Sequence, residues 1–191
     1  MKKVTLIIAV MLMSVSGFSQ SVFDKFEDLD GVMSVILNQK MFKMLATMGM
    51  DINDPEAKEY VNMAKNITGF KVFTTGDEKI ASDMKATVES YLKSSSLEEL
   101  MRIKDGDQTV NFYVKEGKDE NHVKELLMIV SGLKEMTKGQ DIEINGKKRD
   151  FETIVMTLTG DIDLRQISKI TNQMNFPGGE QLKKAGEKKN K

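Results

Sequence analysis

Cysteine is absent from the 191 residues. Disulfides, thiolate metal sites, thiol catalysis and a lipidated N-terminal cysteine are therefore excluded. A single histidine, His122, leaves no His pair to hold zinc and no second imidazole to relay protons. Tryptophan is missing and aromatics amount to 6%, so a sugar cleft would have few stacking platforms. Charge of one sign is also missing: 28 Lys and Arg face 29 Asp and Glu, too even a balance to recruit nucleic acid. Neither a P-loop nor a dinucleotide-type glycine pattern occurs. No serine occupies a Gly-x-Ser-x-Gly elbow, and Ser94-Ser95-Ser96 reads as a helix end. What remains, 40% hydrophobic and 30% charged residues, fits a globular chain and not a disordered or collagen-like one.

The N-terminus carries the strongest local pattern. Lys2 and Lys3 precede an apolar run over residues 4–13, and Gly17 and Ser19 then offer small side chains before Gln20. A basic start, a short apolar stretch and a small-x-small site are the three parts of a secretory signal peptide. The run falls short of the roughly 20 residues that a membrane-spanning helix needs. The sequence therefore predicts a signal peptide over 1–19, an exported periplasmic or extracellular protein, no transmembrane segment and no lipid anchor. Removing Lys2 and Lys3 from 28 bases, and no acid, leaves 26 bases against 29 acids and a net charge of −3.

Along the rest of the chain the hydrophobic period changes. Residues 32–37 are apolar except Ser34 and read as a buried strand. Met41, Met44, Leu45 and Met48 follow at helical spacing, as a core stripe would. Asp54-Pro55-Glu56 is a helix start, and Tyr60, Met63, Ala64 and Ile67 form one side of that helix. Residues 70–74 alternate as a strand. From Asp77 a long helix carries Ile80, Met84, Val88, Tyr91 and Leu92 as one stripe. Residues 100–104 and 110–115 flank Asp105-Gly106-Asp107 as a hairpin, with Val110, Phe112 and Val114 turned one way and Asn111, Tyr113 and Lys115 the other.

Residues 125–131 are almost wholly apolar, which suits a strand inside a sheet; a helix capped by Asn121 and reaching Leu133 is the alternative. Ile142, Ile144 and Asn145-Gly146 mark another hairpin, whose returning strand spans about 151–159. Asp163 then caps a final helix bearing Leu164, Ile167, Ile170 and Met174. The expected fold class is α+β: one domain over 20–176, a largely antiparallel sheet with helices packed on one face. Beyond Pro177-Gly178-Gly179, residues 177–191 read as a flexible tail with Lys183, Lys184, Lys188, Lys189 and Lys191. A six-residue echo, Val72-Phe73-Thr74-Thr75-Gly76-Asp77 against Met156-Thr157-Leu158-Thr159-Gly160-Asp161, is expected to place a strand-to-helix turn at each site.

Few residues carry chemistry. His122, after a turn at Gly117, reads as an exposed loop histidine; as a general base it would take Asp119 or Glu120 as its orienting partner. Asp51-x-Asn53-Asp54 begins like a calcium loop but meets Pro55 at the fifth position and Asn62 at the twelfth, where a bidentate Glu belongs. Asp105 with Asp107, and Asp161 with Asp163, are dyads better explained by turns and caps. Met41, Met44, Met48 and Met50 form the one thioether cluster that would suit Cu(I), though their spacing is that of core filler. The sequence nominates no catalytic, cofactor-binding or metal-ligating residue and no cofactor.

Three pieces of the chain resemble a known family. They are Glu98-Glu99-Leu100-Met101-Arg102-Ile103-Lys104, then Lys124-Glu125-Leu126-Leu127-Met128-Ile129-Val130, then Leu158-Thr159-Gly160-Asp161-Ile162-Asp163 with Ile167-Ser168-Lys169-Ile170. The pattern is similar to that of an exported bacterial family, the domain of unknown function 4252. The resemblance implies a Gram-negative envelope setting and brings no catalytic residue with it. Many similar proteins look anchored through a lipidated cysteine, which this chain lacks. Two function classes follow. One is a non-catalytic envelope protein that binds another envelope protein or a small ligand; the alternative is a hydrolase built from converging Asp and Glu carboxylates.

Overall fold

The computed structural model describes residues 21–48, 55–134, 143–144, 147–148 and 150–167. A 3-10 turn at Asp24–Phe26 leads to β1 (Val32–Asn38), α1 (Gln39–Met48), α2 (Pro55–Asn66), β2 (Ile67–Thr75) and α3 (Glu78–Ser94). Then come β3 (Glu98–Asp105), β4 (Gln108–Glu116), β5 (His122–Ser131), β6 (Glu143–Ile144), β7 (Lys147–Lys148) and β8 (Thr153–Asp163). Six strands form one sheet in the order β1-β2-β8-β5-β4-β3, and every neighbouring pair is antiparallel. Strand β8 thus lies between β2 and β5. Its register runs from Thr153 opposite both Thr75 and Ser131 to Asp163 opposite His122. The α+β class holds.

Alternation along the strands builds two apolar layers. Leu127 and Ile129 of β5, Val155 of β8 and Phe73 of β2 join Met84 and Val88 of α3 on one face. Leu126, Met128 and Val130 of β5 join Val110 and Phe112 of β4 on the other. A strand buried on both faces needs apolar residues at every position, and this is why residues 126–130 form an unbroken run. The helix alternative for that segment is overturned for the same reason. Helix α3 begins where Asp77 accepts hydrogen bonds from Lys79 N and Ile80 N, each 2.9 Å, and its stripe meets the first face as the spacing predicts. Helices over one face describes α3; Phe42 of α1 packs against the second cluster.

The N-terminal turn closes the first layer. Phe23 and Phe26 are each 1% exposed, and Phe23 meets Tyr91 edge-on with centroids 5.6 Å apart. Lys71 ties the turn down through Asp24 at 2.5 Å and Glu27 at 2.6 Å. Burial disfavours the Lys71 ammonium, yet these two carboxylates outweigh it and raise its pKa. Tyr91 donates its hydroxyl to Glu125, at 2.9 Å to the nearer oxygen. Burial first, and the Glu125 charge second, push the Tyr91 phenol up to about 12. Burial also raises the Glu125 carboxyl.

Several sequence expectations change. Residues 32–37 form an edge strand instead of a buried one, with Val35 and Ile36 each 41% exposed. Most of the stripe on α1 faces outward: Met44 is 50% and Met48 73% exposed, Met41 is half-buried, and Ala46 is the buried residue. Small Ala46 lets the helix backbone approach the body, which the long side chains would prevent. Ile67, assigned to a helix face, opens β2 and is 2% exposed. The hairpin expected from Ile144 is only β6 paired with β7; Ile142, Asn145 and Gly146 lie outside the described residues. The strand after it pairs with β2 and β5 because their long apolar registers bury its whole length.

That strand also continues to Asp163, so Thr159-Gly160-Asp161 is not a turn. The first half of the echo does join strand to helix; the second lies inside β8, at a register shift in both neighbouring pairings. Gly160 holds φ +143° there, and a Cβ would stand 2.2 Å from Asn66 O. Ile170, Met174 and the Lys-rich tail lie outside the described residues, as do Met50, Asp51, Asn53 and Asp54.

Candidate functional site

Strand β4 must reverse into β5 within the short segment 117–121, and hydrogen bonds close this turn tightly. Gly117 N donates to His122 O at 2.9 Å and His122 N donates to Asp119 O at 3.1 Å. Asn121 N donates to Asp119 Oδ1 at 2.9 Å. A Cβ on Gly117 would meet His122 O at 2.3 Å, so a side chain there would force the turn open. The same geometry brings Asp119 Oδ1 to 2.7 Å from His122 Nδ1. Asp119, and not Glu120, is the residue that orients the imidazole.

His122 is not an exposed loop residue. It opens β5 opposite Asp163, and its side chain keeps 17% exposure. The pairing explains the difference: β8 runs further than its apolar alternation suggests, on to Asp163, and so draws His122 into the sheet. The hydrogen bond from His122 is the largest cause holding the Asp119 carboxyl below its ordinary value. The Asp119 carboxylate on Nδ1 fixes the orientation of the imidazole.

The end of β8 completes the site. Asp163, whose side chain is 12% exposed, takes Arg165 N and Nε on Oδ1 at 2.9 and 3.0 Å and an Arg165 terminal nitrogen on Oδ2 at 2.7 Å. The Arg165 guanidinium, followed by the backbone bond, lowers the Asp163 pKa against the effect of burial. Leu164 N donates to Asn121 O at 2.9 Å and pins the end of β8 to the turn. Lys118 reaches Asp161 at 2.6 Å, and this bond raises the Lys118 pKa.

Between this corner and the start of β3 opens a cleft of about 570 Å³, within the size range of small-molecule sites. Its lining includes Glu98, Glu99, Glu116, Asp119 and Glu120, against two permanent cations, Lys118 and Arg165. His122 lies on the same wall.

The remaining candidates do not join it. Asp105 and Gly106-Asp107 make the β3–β4 turn. Asp161 and Asp163 each hold their own cation instead of sharing one. Met41, Met44 and Met48 lie on α1. Among the described residues no three His, Asp or Glu side chains converge as a metal site would require. Also among the described residues, no helix is long and apolar enough to cross a membrane.

A family model for a domain of unknown function, DUF4252, matches residues 26–170. The chain belongs to this family. The DUF4252 span holds the whole sheet and every residue that lines the cleft. Comparison with curated proteins and with solved structures gives no match. Sequence reasoning missed Glu98, Glu116, Lys118 and Arg165 as parts of one site. The Asp163-x-Arg165 spacing was the one local signal available, since Lys118 and Asp161 are brought together only by the β5–β8 register.

The depressed Asp163 carboxyl has a consequence for this DUF4252 domain. A lowered folded-state value stabilises the protein above the ordinary carboxyl pKa of 3.8 and ceases to do so as pH falls through the folded-state value. Asp163→Asn is expected to lower stability at neutral pH and to converge with the parent at strongly acidic pH. Urea unfolding of both proteins across that range checks this; a constant difference at every pH contradicts it.

Proposed function

We propose that the protein is exported, with residues 1–19 as a cleaved leader, and that it works by binding through the cleft between the start of β3 and the β4–β5 turn. Lys2, Lys3, the apolar run over 4–13 and the Gly17-x-Ser19 site support export. N-terminal sequencing of the protein from an envelope fraction is expected to begin at Gln20. Retention of Met1 in a cytosolic fraction overturns the export reading.

The binding reading rests on the charge of the cleft wall: of its five carboxylates Glu99 is paired with Arg102, while Lys118 and Arg165 are themselves held by Asp161 and Asp163, which leaves the acids in excess. Both carboxyls at this corner with shifted values, Asp119 and Asp163, are shifted downward. Such groups stay ionised at neutral pH, which suits electrostatic attraction and not proton donation by a general acid. A glycosidase of the two-carboxylate kind needs one carboxyl raised. Among the described residues the raised one, Glu125, is engaged by Tyr91 under α3. The ligand class that fits is a small cation rich in N–H donors, of the polyamine kind.

Calorimetric titration of the purified protein with spermidine tests this directly. Binding is expected to weaken at least about tenfold in the double variant Glu116→Gln, Glu120→Gln, and to weaken with added salt. Binding that ignores both changes, or none with the parent protein, removes the cleft as a cation site. Turnover of a glycoside panel that depends on the same two residues would favour the hydrolase instead.

A further inference from the structure

The two edges of the sheet are built differently. Strand β3 carries Glu98, Glu99, Arg102, Lys104 and Asp105 among eight residues, and its register shifts between Glu99 and Met101. Charges and a bulge are the devices that keep an edge from pairing with another chain. Strand β1, Val-Met-Ser-Val-Ile-Leu-Asn, has neither: it bears no charge and pairs with β2 in unbroken register over seven residues. Val35 and Ile36 stand exposed on it, one on each face. The helix that follows adds Met44, Leu45 and Met48. An unblunted apolar edge is a template for another strand.

We infer that β1 is a dimerisation edge, occupied by β1 of a second copy running antiparallel across a two-fold axis at Val35. Three observations select a second copy. The first is the direction of the backbone. Val32 N turns away from β2 to donate to Leu29 O at 3.0 Å, and alternation gives Ser34 and Ile36 the same outward direction. Antiparallel pairing about Val35 then sets Ser34 opposite Ile36 as the mutually hydrogen-bonded pair.

The second is side-chain complementarity: the same register places Met33 opposite Leu37 and Val35 opposite its own copy, so apolar residues meet and no charges are opposed. The third is exposed apolar surface. Val35 and Ile36 on the strand, with Met44, Leu45 and Met48 on the helix after it, are the exposed large apolar side chains beside this edge, so a second copy would cover apolar surface and not only backbone. Such a contact is isologous and closed, giving a continuous twelve-stranded sheet from two six-stranded ones and no fibre.

The absence of cysteine makes the test clean. Sedimentation of the purified protein across micromolar concentrations is expected to show a monomer–dimer equilibrium. Val35→Lys, which sets like charges against each other on the axis, is expected to raise its dissociation constant at least about tenfold with an unchanged circular-dichroism spectrum. Val35→Cys is expected to form a disulfide-linked dimer under mild oxidation far faster than Lys104→Cys on the charged edge. A parent protein that stays monomeric, together with equal crosslinking at positions 35 and 104, overturns the inference. A monomer whose position-35 thiol links only to other proteins overturns the second-copy assignment.

Discussion

The fold depends on one insertion, that of β8 between β2 and β5. Without it the chain would hold two separate pieces, β1–β2 with its helices and the meander β3–β4–β5. Strand β8 pairs on both sides along nearly its whole length, and Val155 and Ile162 are fully buried. Each side chain it buries in an apolar layer contributes about 1.5–3 kcal/mol relative to exposure, which offsets the entropy of closing such long loops. The insertion also explains the break in register at Gly160, where the backbone of Asn66 and Ile67 comes too close for a side chain.

The same strand sets the chemistry of the cleft. Its last residue, Asp163, lies opposite His122, and the residue after it is tied to the β4–β5 turn. Arg165 and Lys118 are thus drawn to the carboxylates of β8, and Asp119 is left to His122. The remaining acids of the wall keep its charge negative. Packing at the sheet centre and electrostatics at its end are two results of one register. The edges are treated separately: β3 is charged and bulged, whereas β1 is smooth and apolar.

Local chemistry was readable in the sequence wherever the cause was local. Asp77 announces α3 because its carboxylate has nowhere better to go than the free amides of the first turn. The unbroken run at 126–130 suits a central strand, although its period alone left a helix open. Partner choice was not readable. The segment at 153–163 looks like the return of a hairpin until the competing registers of β2 and β5 are known, and nothing near Asp161 points to Lys118. The outward turn of Met44 and Met48 was hidden for a related reason, since periodicity finds an apolar stripe but not whether anything covers it. The end of β8 was missed because Gly160 and Asp161 carry turn chemistry while acting as a bulge within a strand.

Hydrogen exchange resolved along the sheet tests the central place of β8 most directly. Amides over residues 126–130 and 154–158 are expected to be the slowest, opening only with global unfolding, while those of β3 exchange by local opening. Exchange over 154–158 as fast as that of the β3 edge would contradict the insertion and the cleft built on it.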